Sequence, residues 1–148
     1  MIPSSRYNTR MTHTHTVRLT TKGEGDIRDL TPEVARAAEA SGIQNGIAAV
    51  FVVGSTAAVT TIEFEPGLVE DLGRTLEQLA PRDAHHAHEA RWHDDNGHSH
   101  IRASIIGPTV CVPVANGSLA LGTWQQVVLC EFDTRPRERT VIVQVVGD

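Results

Sequence analysis

Three imidazoles, His93, His98 and His100, fall within eight residues of Arg91-Trp92-His93-Asp94-Asp95-Asn96-Gly97-His98-Ser99-His100. Imidazole is the commonest side-chain ligand for zinc and similar divalent ions. Read as an extended strand, His98 and His100 point to the same face. The Asn96-Gly97 turn folds His93 back towards them. Three converging donors with a fourth position open are the pattern of a catalytic metal rather than a structural one. Asp94 and Asp95 either orient the imidazoles from behind or cap the loop. The opposing reading is a solvated polar loop in which histidines happen to cluster. His85, His86 and His88 read as solvent-exposed, and His13 and His15 as the exposed face of an edge strand.

The bulk properties bound what such a site could serve. A chain of 148 residues with 40% hydrophobic and 21% charged residues fits one soluble domain with a real core. The expected organisation is a flexible extension over residues 1–12 followed by a single domain over 13–148. A formal net charge of −5 argues against the clustered basic face that nucleic acid requires. No apolar run approaches the roughly 20 residues of a membrane span. The polar N-terminus lacks a signal-peptide core. Cys111 and Cys130 sit in apolar runs and read as buried free thiols, a bridge between them being the lesser alternative. Together these predict a cytoplasmic protein without nucleic-acid or membrane partners.

The elements that must position the histidines follow from periodicity. Residues 13–21 alternate and read as a strand. Thr31 can cap a helix over Thr31–Ala40, with Pro32 at its first turn and Ser41-Gly42 as its stop. Residues 46–53 are a buried strand and 57–65 the next, ended by Pro66-Gly67. Leu68–Leu79 has helical spacing. Residues 82–95 read as an ordered loop, and short strands follow at 100–106, 110–114, 119–121, 125–132 and 140–146. Asn116-Gly117 predicts a hairpin turn, and residues 134–139 a charged hairpin loop.

Gly54-Ser55-Thr56-Ala57-Ala58-Val59-Thr60-Thr61-Ile62-Glu63-Phe64-Glu65-Pro66-Gly67 is the first of three telling segments. His98-Ser99-His100-Ile101-Arg102-Ala103-Ser104-Ile105-Ile106-Gly107-Pro108 is the second. Asn116-Gly117 followed by Leu121-Gly122-Thr123-Trp124-Gln125-Gln126 is the third. In this order they resemble the YjbQ-like family, whose usual label is secondary thiamine-phosphate synthase. The resemblance covers roughly residues 15–147. It implies an α+β fold, mostly antiparallel β-sandwich with two or three helices, and a homotrimer around a three-fold axis. It also implies a metal and anion site near the histidines, with a divalent metal, expected to be zinc, at His93, His98 and His100. His93 and His100 match positions where relatives carry histidine. Many relatives have His-Thr-Ser where this chain has Gly54-Ser55-Thr56, and His98 is the candidate replacement for that missing imidazole.

The activity implied joins a pyrimidine diphosphate to a thiazole phosphate and releases pyrophosphate, so the expected partner is a small phosphorylated substrate. Arg102, one strand step beyond His100, could clamp a phosphate, or be a surface arginine. Gly54, Ser55 and Thr56 could form an anion nest, or a bulge. Glu63 and Glu65, on one strand face, offer a general base or a further ligand, or an exposed face. Thr123, Trp124 and Gln125 could hold a heteroaromatic ring, the indole stacking and the amide reading its edge; packing is the alternative for Trp124. The competing functions are a metal-dependent hydrolase using the same histidines, and a non-catalytic trimer that binds a small anionic metabolite.

Overall fold

The structure, a computed structural model, describes residues 11–148. The expected N-terminal extension therefore lies outside the described residues up to position 10, and Met11 and Thr12 already belong to strand. Eight strands and four helices follow in the order β1 (Met11–Thr20), β2 (Ile27–Asp29), α1 (Thr31–Ser41), β3 (Asn45–Val53), β4 (Ala57–Ile62), α2 (Pro66–Leu79), α3 (Ala87–Trp92), α4 (Gly97–Ile106), β5 (Thr109–Ala115), β6 (Ser118–Leu119), β7 (Gln126–Glu131) and β8 (Glu138–Gly147). They make two antiparallel sheets, β1-β8-β3-β5-β6 and β2-β7-β4, so the fold is the α+β arrangement read from the sequence.

Alternation along each strand decides what faces the core. On β3, Ala48, Val50 and Val52 are fully buried while Ile47, Phe51 and Val53 are exposed. On β8, Val141, Val143 and Val145 are buried. These meet Val59, Val127 and Leu129 of the smaller sheet and Val34, Ala37 and Ala38 of α1. Each such valine contributes about 1.5–3 kcal/mol by leaving water. The smaller sheet is covered on both sides. Ala58, Val128 and Cys130 face a second cluster with Leu76 of α2 and Ala103 of α4. Cys130 is free and its thiol is pushed up to about 12 by burial. Cys111 is also free but exposed on β5, in the other sheet, which corrects its reading as buried and leaves no bridge.

Several boundaries differ from expectation. Leu30, not Thr31, precedes α1, and the Thr31 hydroxyl instead accepts the Val127 amide at 2.9 Å. Gly42 ends α1 in the left-handed region at φ 69°, as its type suggested. Pro66 and Gly67 do not close β4; they open α2, because the Glu65 carboxylate accepts the Gly67 and Leu68 amides. Asn116 (φ 52°) and Gly117 (φ 75°) form the expected left-handed turn between β5 and β6. Residues 134–137 join strands of different sheets, so no hairpin forms there.

The largest correction is α4. Residues 97–106 are helix, not strand. His98, Ser99, Arg102 and Ala103 are the buried positions, a spacing of three and four that lays one helix face on β4 and β7. The Asn96-Gly97 pair starts this helix instead of turning a hairpin. Its start is tied to the sheet ends by a buried polar network. Asp133 Oδ2 accepts the Thr56 hydroxyl at 2.9 Å, Asp133 Oδ1 accepts the Asn96 amide at 3.4 Å, and Asn96 Oδ1 accepts the Thr134 backbone N–H at 3.1 Å. Arg139 donates to Glu131 through Nε at 2.7 Å and Nη2 at 2.6 Å, and to Thr56 Oγ1 at 2.7 Å. Thr21 donates to Glu131 Oε2 at 2.8 Å from the end of β1.

Glu131 is fully buried and its partner Arg139 nearly so, so Glu131→Gln leaves an uncompensated buried cation. We expect a loss of about 3–5 kcal/mol in chemical denaturation. Burial alone would raise the Asp133 carboxyl, but Arg137, the Thr56 hydroxyl and the Arg135 amide outweigh it and hold it below its ordinary value. A depressed carboxyl adds stability that is complete above its unfolded value and is lost as pH falls through the folded one. Acid titration of melting temperature should therefore show a loss below about pH 4 that Asp133→Asn flattens.

Candidate functional site

α3 and α4 are joined by residues 93–96, and this short link shapes the site. His93 (φ 52°) and Asp95 (φ 60°) are both left-handed, an uncommon state for residues with a Cβ. Glu89 of α3 pins the link, accepting the Asp95 amide through Oε2 and the Gly97 amide through Oε1, each at 2.7 Å. Burial opposes the charged form of Glu89, but those two amides and the nearby His88 outweigh it and hold its carboxyl below the usual range. Gly97 is required here: a Cβ would lie 2.6 Å from His86 Cβ.

This link brings His88, Asp94 and His100 together. One donor atom from each lies within 4.8 Å of the others, and all three residues are half-buried. The His88 and His100 rings stand 4.6 Å apart between centroids. Asp94 Oδ1 lies 3.4 Å from His88 Nδ1 and accepts the Asn96 backbone N–H at 3.2 Å. The Ser55 carbonyl lies 3.1 Å from His100 Nδ1. With a proton on Nδ1 for that bond, His100 keeps its Nε2 lone pair free, the tautomer a metal ligand needs. His88 Nδ1 is buried without a hydrogen-bond partner: Asp94 Oδ1 at 3.4 Å is off line and Glu89 Oε1 at 3.7 Å is out of hydrogen-bond reach. An orphaned buried nitrogen beside a second imidazole and a carboxylate fits a divalent cation such as zinc. A shallow depression of about 340 Å³, lined by His100, Ile101, Ser104 and Ile105, adjoins the cluster. A larger groove of about 660 Å³ lies along Arg18, Leu19, Thr20, Glu138, Arg139 and Thr140 and holds no histidine, so the donor set rather than the cavity size locates the site.

The three histidines expected to converge do not. In a helix, positions two apart are about 200° apart, so His98 and His100 leave α4 on different faces. His98 is 1% exposed, with Nε2 3.1 Å from Glu24 Oε1. His93 is exposed at the C-terminus of α3 and belongs to no donor group among the described residues. Arg102 is not on a strand face with His100. It is buried, donating to Glu24 at 2.8 Å, to Glu77, and twice to the Ala80 carbonyl, and so ties α4 to α2 and the turn before β2. The Arg82 amide, then Arg102, hold the Glu77 carboxyl below its usual value against desolvation. Asp95 points to Arg82 at 3.6 Å.

Glu63 and Glu65 are exposed, Glu63 beyond the end of β4 and Glu65 capping α2, so neither stands by the cluster as a base. Thr56 is spent on Asp133 and Arg139. Gln125 closes its own turn by accepting the Gly122 amide at 2.8 Å, while Thr123 is exposed and Trp124 is 71% exposed. His88 was missed by sequence reasoning. Its signal was the twelve-residue distance to His100, which only the α3–link–α4 turn makes meaningful.

Comparison with known proteins finds relatives along nearly the whole chain. A family model described as UPF0047 protein YjbQ-like matches residues 15–148. A UPF0047 protein of Methanothermobacter thermautotrophicus is 41% identical over 135 residues, 91% of this chain and 92% of its own. UPF0047 protein YugU of Bacillus subtilis is 33% identical over 134 residues, 89% of this chain and 98% of its own. Among solved structures, a YbjQ-like protein of unknown function from Sulfolobus solfataricus superposes with a TM-score of 0.89 at 33% identity, over 95% of this chain and 100% of that one. Sequence and fold agree across nearly the whole length, and the chain belongs to the YjbQ-like UPF0047 family.

Proposed function

We propose that this protein is a metal-assisted enzyme acting on a phosphorylated small molecule, with His88, Asp94 and His100 as the metal-holding set. The observation that carries this reading is the buried, unpartnered Nδ1 of His88 facing Asp94 and the His100 ring. A divalent cation held there would neutralise phosphate charge and polarise the phosphoryl group. The chain's own contributions are orientation and dryness. Ser55 fixes the His100 ring, Glu89 and Asn96 fix the link bearing Asp94, and half-burial limits water. Thiamine-phosphate synthesis remains the named candidate reaction through the family resemblance, zinc the candidate ion, and the cytoplasm the compartment that two free cysteines favour. No helix among the described residues is long and apolar enough to cross a membrane.

We further infer a homotrimer. The outer face of the larger sheet carries Ile47, Phe51, Val53 and Val146 at 41–52% exposed, beside uncharged Cys111 and Pro113. A contiguous apolar strip of this kind marks an interaction surface.

Isothermal titration with zinc should give about one equivalent for the wild type, and affinity should fall by about 10-fold or more in His100→Ala and in His88→Ala, while His93→Ala binds as the wild type. Equal affinity in all four would remove the proposed site. Incubation with the pyrimidine diphosphate and thiazole phosphate should then yield thiamine phosphate only with metal present; binding without turnover would leave a metabolite binder. In analytical ultracentrifugation the wild type should sediment as a trimer and Phe51→Asp as a monomer; a monomeric wild type would refute the assembly.

A further inference from the structure

We propose that Arg139 and Gly54 form an anion subsite beside the histidine cluster, in which the Nη1 edge of the guanidinium donates to an oxygen of a phosphate or carboxylate group. It rests on the anionic substrate of the preceding reading but not on the metal.

Three of the five guanidinium N–H donors of Arg139 are engaged, Nε by Glu131 and Nη2 by Glu131 and Thr56, and the Nη1 edge is free. Among the described residues Nη1 has no acceptor, although the side chain is only 7% exposed and Nη1 is not sealed from solvent. A charged N–H group at this depth gains by meeting an acceptor. Glu131 grips the other side of the guanidinium, so the free edge is held in one orientation and needs no reordering to meet a ligand.

Gly54 is what leaves that edge uncovered. The β3–β8 ladder ends with Val53 opposite Thr140, so Gly54 follows opposite Arg139. A Cβ at position 54 would stand 2.5 Å from Nη1, and its φ of 146° disfavours any L side chain. The next residue, Ser55, is the one whose carbonyl holds His100 Nδ1. The free donor edge and the candidate metal-holding imidazole thus flank a single two-residue stretch. Because Glu131 offsets the arginine's charge, recognition here comes from directed, charge-assisted hydrogen bonds and not from a broad positive field.

The test uses full-length protein kept in EDTA, so that it fails or succeeds apart from the metal site. Inorganic phosphate is titrated while the arginine side-chain ¹⁵N–¹H signals are followed by NMR, with Arg139→Lys supplying the assignment; acetate is titrated in parallel. A saturable shift of the Arg139 guanidinium supports the subsite, and whichever anion produces it names the class. Gly54→Ala, if folded, should bind that anion about tenfold more weakly. Should Gly54→Ala not fold, the wild-type titration decides alone. No saturable shift at Arg139 with either anion, or a folded Gly54→Ala that binds as the wild type does, overturns the proposal.

Discussion

The buried ion pair between Arg139 and Glu131 is the constraint on which the remaining architecture hangs. It joins β7 of the smaller sheet to β8 of the larger one, and its satellites reach the ends of β1 and β4 and the start of α4. Thr56 joins it to the start of β4, Thr21 to the end of β1, and Asp133 to Asn96 and so to the first turn of α4. Two charges out of water are costly unless every remaining donor and acceptor is met. Here the carboxylate is saturated by Arg139 and Thr21 and by the Asp133 amide. The arginine keeps one edge unmet. Such an arrangement stabilises less than it specifies: it admits one mutual placement of β1, β4, β7, β8 and α4.

A second charged cluster does the same work from the far side of α4. His98 and Arg102 converge on Glu24, and Arg102 continues to Glu77 and Ala80. One helix face is therefore given over to anchoring, and His100, turned away from it, is free for other duties. The division explains how ten residues can hold both buried charges and a half-open imidazole.

Much of the fold was legible because alternation and glycine–proline punctuation act locally. The β3 and β8 strands, α1 with its Gly42 stop, and the Asn116-Gly117 turn all follow from a few neighbouring residues. The site was legible only in composition. A histidine-rich stretch with carboxylates was visible, but its geometry depended on whether Asn96-Gly97 turned a hairpin or began a helix. Local signals favoured the turn; tertiary contacts of Asn96 with Asp133 and Thr134 decided for the helix. That one change of period sent His98 inwards, left His93 outside, and brought forward His88, whose short helix has no strong signal of its own. Glu65 tells the same story at smaller scale, since a carboxylate before Pro-Gly reads as a strand end until its cap bonds are seen. Family resemblance supplied the fold class correctly; the shared face of His98 and His100 came instead from reading them as extended, and a helix projects those two positions apart.

The left-handed turns at His93 and Asp95 have a kinetic corollary. Backbone strain there is met once, when the chain folds and Glu89 clasps the link, so the imidazoles and the carboxylate already stand together before any guest arrives. On the proposed reading, a claw already assembled in this way asks for no loop closure to capture an ion, and the ion's loss of its own water would set the pace.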